Sequence, residues 1–239
     1  MRVAVVGAGG VGGGFGAALA RAGADVTFIA RGAHLAAMRS HGLKVESPRG
    51  DAHLVPTQAT DDPATVGPVD VVLFCVKLWD VESAGAHVKP MIGSTTAVIP
   101  LQNGIDAPER LVPILGAPAV MGGVAQISAS IVAPGVIRQV GTFMRMAFGE
   151  LDGKRSRRGE ELLALCLKAG FEAALSEQIL AALEWQRRQD NWLREAGRFV
   201  PNPATWLNQG RWQDEPTTTP RFNERTLALG KATQEFLKS

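Results

Sequence analysis

The sequence predicts an α/β protein, a parallel sheet with helices on both faces, and three observations carry that prediction. Short apolar runs alternate with amphipathic stretches from the first residues onward, the pattern of β-α-β units. The strongest run, VDVVLFCV over 69–76, is continuously apolar rather than alternating, as suits a strand buried on both faces. A glycine-rich turn separates the first run from the first helical stretch.

Taken in order, residues 3–6 form the first strand and a helix follows the glycine turn through 17–22. Residues 26–29 are the next strand, then 69–76, then 96–100, which runs into LQNG. Past Gly116 the runs shorten to 119–124, 128–132, 136–140 and 145–148. Ala133-Pro134-Gly135, Gly141 and Gly149 punctuate them, which predicts hairpins completing the sheet. Residues 157–169 read as a helix with apolar Leu162, Leu163, Leu165 and Leu167, stopped by Gly170. A short strand over 172–175 leads to Ser176, an N-cap for a helix starting at Glu177.

The 25 basic and 23 acidic residues leave a net charge of +2, so no global field points to a polyanionic partner. Cys75 and Cys166 are too few for a disulfide framework and read as core thiols. The chain opens directly on a strand, and no apolar run approaches the ~20 residues that span a bilayer. These features predict a cytoplasmic protein with no membrane association. Composition changes near 183–185: residues 184–239 hold four of the five tryptophans and only three of the 27 glycines. That shift predicts three parts: a dinucleotide-binding domain over 1–150, a second region over 151–183, and a distinct Trp-rich helical tail over 184–239.

Gly7-Ala8-Gly9-Gly10-Val11-Gly12 matches G-x-G-x-x-G, follows a strand and opens a helix, the context that makes the pattern specific for a Rossmann-type dinucleotide site. Gly7 permits the tight turn, Gly9 lets the backbone approach a pyrophosphate, and Gly12 lets the helix pack close to the strand. The helix N-terminus then offers N–H groups and partial positive charge to the phosphates. An acid about 20 positions beyond the glycines would favour NAD. Here Arg31, 19 residues after Gly12, stands at the strand end, and its guanidinium suits the 2′-phosphate of NADP(H). Lys77, Gln102 and Asn103 follow the strands over 69–76 and 96–100, at the edge where open α/β sheets bind ligands, and are further cofactor contacts. His34, His41, His53 and His87 lack metal-ligand spacing, so no metal site is expected, and no Ser/His/Asp nucleophile pattern occurs.

In order along the chain, MRVAVVGAGGVGGGFG, IARG, VLFCVKLWDVE, VIPLQNGID, IVAPGVIRQVG, FGELDGKRS and LKAGFEAALSEQI resemble the ketopantoate (2-dehydropantoate) 2-reductase family over residues 1 to about 183. The resemblance implies hydride transfer from NADPH to a small α-keto acid, on the way to pantothenate. It implies that Gly7–Gly12 holds the pyrophosphate and Arg31 the 2′-phosphate, with Lys77 and Asn103 beside the nicotinamide ribose. Asn103 would also face the substrate. The family's general acid is a lysine early on the first long helix of its C-terminal domain, placed to protonate the developing alkoxide.

The match stops after SEQILAAL. Glu184-Trp185-Gln186-Arg187-Arg188 carries no lysine, and a guanidinium does not give up its proton near neutrality. The catalytic residues are therefore unassigned and the C-terminal region reads as truncated. Residues 185–216, with PNPATWLNQGRW, resemble the C-terminal segment of phage and primosome-type replication proteins, which admits nucleic acid as a partner through the tail alone. The other reading of these residues is an aromatic-anchored helical hairpin packed over 155–185. An absent helical domain would leave apolar surface that favours a homo-oligomer. Three readings stay open: an impaired reductase of this type, a non-catalytic NADP-binding module, and a fusion product.

Overall fold

The computed structural model describes residues 1–104 and 106–177. The chain divides into two units, Met1–Ala181 and Ala182–Ser239, and the second lies outside the described residues. The first unit runs β1 (Arg2–Val6), α1 (Gly10–Arg21), β2 (Asp25–Ile29), α2 (Gly32–His41), β3 (Leu43–Glu46), β4 (Ala52–Leu54) and β5 (Gln58–Thr60). It continues with β6 (Val69–Phe74), α3 (Val81–His87), β7 (Ile92–Pro100), α4 (Ala107–Leu115), β8 (Met121–Ala133), β9 (Val136–Glu150), α5 (Arg157–Lys168) and β10 (Glu172–Leu175).

The expected parallel sheet is present, in the order β5-β2-β1-β6-β7, with every pairing parallel. Its strands bury both faces because successive side chains point to opposite sides. Val3 and Val5, Val71 and Leu73, and Ala97 and Ile99 enter one core. Ala4 and Val6, Val72 and Phe74, and Val98 enter the other, with Val81 and Val88 near α3 and Leu111 of α4.

A second sheet, absent from the sequence reading, covers the opposite face together with α1. The four short strands expected over 119–148 are two long ones, β8 and β9, paired antiparallel from Met121 opposite Glu150 to Ala133 opposite Val136. They do not complete the parallel sheet. Register shifts at Ile127/Ala129 and Ile131/Ala133, and Gly141 at φ +73°, are irregularities carried inside the strands, where the sequence suggested breaks between strands. The first half of β9 pairs β3 and its second half pairs β10, both in parallel. Residues 151–177 thus share a unit with 1–150.

Elements α2, β3, β4 and β5 carry no long apolar run and gave no sequence signal; β4 and β5 are three residues each. β6 ends at Phe74, two residues before the expected limit. Ser156 caps α5 as its Oγ accepts from the Gly159 N–H at 3.2 Å. Phe15 of α1 meets Phe171 edge to face, with centroids 5.1 Å apart. Arg158 of α5 grips Glu150 of β9 through two nitrogens, at 2.8 and 2.6 Å, and donates to the Thr96 carbonyl of β7 at 2.9 Å. One side chain thereby ties the two sheets together.

Cys166 is buried and burial pushes its thiol up to about 12. Cys75, just past β6, keeps some exposed surface, and burial pushes its thiol to about 12 as well. Neither is a reactive thiolate at neutral pH. Among the described residues no helix is long and apolar enough to cross a membrane, and no cluster of three His, Cys, Asp or Glu could hold a metal ion.

Candidate functional site

The loop from β1 to α1 is shaped by what its glycines touch. Gly7 sits at φ +93°, and a Cβ there would lie 2.9 Å from the carbonyl carbon and oxygen of Cys75, at the end of β6. Its N–H donates to the Ile29 carbonyl at 3.1 Å, which fixes the turn to the end of β2. A Cβ on Gly12 would be 2.8 Å from Val5 Cγ1 and would overlap the Gly7 carbonyl, so helix and strand are in close contact there.

Gly9 differs. It is the N-cap of α1, no side chain caps the helix, and its first turn holds no acidic residue. A Cβ on Gly9 would meet nothing within 4 Å. The start of α1 thus has space beside Gly9 and no capping side chain for its first N–H groups, an arrangement that fits a phosphate group. Gly10 serves packing instead, because a Cβ there would overlap the Ala129 carbonyl of β8.

A cleft of about 520 Å³ opens beside this loop. Gly7, Ala8, Gly9, Ile29, Ala30 and Arg31 line one side, and His34, Asp61, Val76, Asp80, Ser83 and His87 are among its other walls. Arg31 is the N-cap of α2, with its side chain 82% exposed and its Nη2 3.7 Å from Asp80 Oδ2. His34 joins the loop to the β8–β9 turn. The Gly135 N–H donates to its Nδ1 at 3.0 Å, so Nε2 carries the proton and donates to the Ala8 carbonyl at 2.9 Å.

The cleft thus gathers Gly7, Ala8, Gly9 and Arg31, while Gly10, Val11 and Gly12 do not line it. Lys77 and Asn103 stand exposed just past β6 and β7. Gln102 has a structural task, since its Nε2 donates to the carbonyls of Phe74 at 2.8 Å and Val76 at 3.1 Å and pins two strand ends. Its Oε1 is buried and accepts no hydrogen bond from the described residues. His34, Asp61 and Asp80 were not singled out in the sequence as site residues. Asp80 lies in the quoted stretch VLFCVKLWDVE, but no spacing rule marks it, and His34 lies on a helix with no sequence signal. Glu184–Arg188, the stretch where the resemblance places the family's general acid, lies outside the described residues.

Glycine loop, uncapped helix and strand-end cleft together define a dinucleotide-binding α/β domain of the Rossmann type. The profile described as Ketopantoate reductase PanE/ApbA matches residues 3–153, and the chain belongs to that family of oxidoreductases. A 2-dehydropantoate 2-reductase of Mesorhizobium japonicum is 29% identical over 87% of this chain and 67% of its own length. Residues 1–183 are 77% of the chain, so that match reaches past residue 183. One from Pyrococcus horikoshii is 31% identical over 75% of this chain and 58% of its own. The crystal structure of 2-dehydropantoate 2-reductase from Porphyromonas gingivalis W83 is 36% identical, with TM-score 0.70, covering 78% of this chain and 71% of that one. The chain thus spans about three fifths to two thirds of the length of these curated relatives.

Proposed function

We propose that this chain binds NADP(H) and carries the cofactor half of a reductase that converts 2-dehydropantoate to pantoate. The observation that supports it best is the uncapped start of α1, opening through Gly9 beside a cleft whose rim holds Arg31. When bound, the cofactor supplies hydride to the keto carbon. The Gly7–Gly12 loop holds the pyrophosphate through its backbone N–H groups other than that of Gly7, which stays on the Ile29 carbonyl, and the Arg31 guanidinium takes the 2′-phosphate. Lys77 and Asn103 stand beside the nicotinamide ribose, and Asn103 also orients the keto acid. Gln102 keeps the ends of β6 and β7 together beneath them.

Turnover by this chain alone is low on this reading, since residues 184–188 lack the lysine that would protonate the alkoxide. Equilibrium titration tests binding: Arg31→Ala should weaken NADPH by roughly 10- to 100-fold, the worth of a hydrogen bond to a charged group, and NADH far less. Steady-state assay with ketopantoate tests turnover, and a rate near that of a full-length relative would overturn the impaired reading.

A further inference from the structure

The carboxylate of Asp80 occupies an unusual place for its position in the chain. Asp80 is the N-cap of α3, where an aspartate normally accepts a hydrogen bond from a first-turn N–H. It makes no such cap. Its backbone is fixed instead, its N–H donating to the Lys77 carbonyl at 2.9 Å and its own carbonyl accepting from Ser83 Oγ at 3.1 Å. The free carboxylate reaches across the cleft to within 3.7 Å of Arg31 Nη2. The cleft's other acid, Asp61, is matched elsewhere, with Oδ1 3.5 Å from Arg39 Nη2. Arg31 and Asp80 therefore form the ion pair that sits on the cleft itself.

These two groups answer to opposite forms of the same ribose. A carboxylate accepts a hydrogen bond from a free 2′-hydroxyl and repels a 2′-phosphate. A guanidinium does the reverse, pairing with the phosphate through its planar fork. We propose that Asp80 is a selectivity-setting residue that opposes Arg31, so that this cleft accepts NADH as well as NADPH with a modest preference between them. To take a 2′-phosphate, Arg31 must be drawn off Asp80 while that carboxylate remains nearby. To take a 2′-hydroxyl, the Arg31–Asp80 pair can stay and Asp80 still has a free lone pair to offer. The inference rests on the dinucleotide reading given above.

The test is the ratio of dissociation constants for NADH and NADPH, measured by equilibrium titration on the full chain and on Asp80→Asn. The near-isosteric asparagine keeps the shape and removes the charge. We expect the wild-type ratio to lie within about tenfold, and D80N to shift it toward NADPH by about a further tenfold, or about 1.4 kcal/mol. High salt should shrink the difference between the two proteins. An unchanged ratio in a folded D80N, or a wild-type preference for NADPH beyond about a hundredfold, would overturn the role given to Asp80. A folded wild-type chain that binds neither nucleotide would instead overturn the dinucleotide reading and this inference with it. Circular dichroism on both proteins separates either result from misfolding.

Discussion

The two sheets of this unit are built from different kinds of strand, and α1 lies between them. Strands of the parallel sheet bury both faces: Val71, Val72, Leu73 and Phe74 are each at most 1% exposed. Those of the second sheet do not. Val124, Val140 and Phe143 of β8 and β9 are more than half exposed, while Ile137, Met144, Met146 and Phe148 face the core. A strand stretch buried on both faces favours apolar residues, so its run is visible in the sequence even where its end is not. A long two-stranded ribbon with one face partly open tolerates glycine, serine and arginine, and its pattern breaks wherever it twists or bulges. The candidate cleft sits with the first kind: it is walled mainly by the loops and helices at the ends of the parallel strands, with Ile131 reaching it from β8.

Perturbing what holds the two sheets together should have the largest effect. Phe15→Ala removes a fully buried ring that packs on Phe171 and should cost about 3–5 kcal/mol in chemical denaturation. A loss under about 1 kcal/mol would mean that the second sheet adds little to the packing of α1.

Glu150→Gln comes next, because it leaves half-buried Arg158 without its charged partner; the cost should be about 1.5–3 kcal/mol. The Arg158 guanidinium holds the Glu150 carboxyl below the usual carboxylate range, with burial partly opposing. The depressed folded value gives stability that is present above the ordinary carboxylate range and lost as pH falls through that range to the lowered value. Urea midpoints from pH 7 to pH 3 should therefore drop more steeply in wild type than in E150Q. Parallel slopes would remove this pair from the acid response.

A smaller effect separates two neighbouring glycines. Gly10→Ala places a methyl against the Ala129 carbonyl of β8 and should cost about 1–3 kcal/mol. Gly9→Ala points its methyl into open space, so melting should barely change while dinucleotide affinity falls. Equal stability losses in the two variants would sink the division of this loop into a packing glycine and a binding glycine. A small effect is expected at the Arg110–Glu82 pair that links α4 and α3, at 2.6 and 2.7 Å, because Glu82 stays exposed to solvent; Arg110→Ala should lower melting only slightly.

One side of the candidate cleft was legible in the sequence because its parts are local. Gly7, Gly9 and Gly12 follow a strand and open a helix at fixed spacing, and Arg31 closes the next strand. Chain order and short-range sterics determine such features, so the sequence was enough to place the glycine loop and Arg31 at one sheet edge. The sequence also identified four strands of the parallel sheet, β1, β2, β6 and β7, from their mostly apolar runs, but not β5 at its edge. Only the tertiary structure decided the rest. Gly10 needs to be small because of a carbonyl more than a hundred residues away on β8. Gln102 is committed to two strand ends. Asp80 faces Arg31 because β6 and β2 flank β1 in the sheet, an adjacency that linear spacing cannot express. Long-range contacts are chosen by packing, and packing is written in pairs of residues distant in sequence.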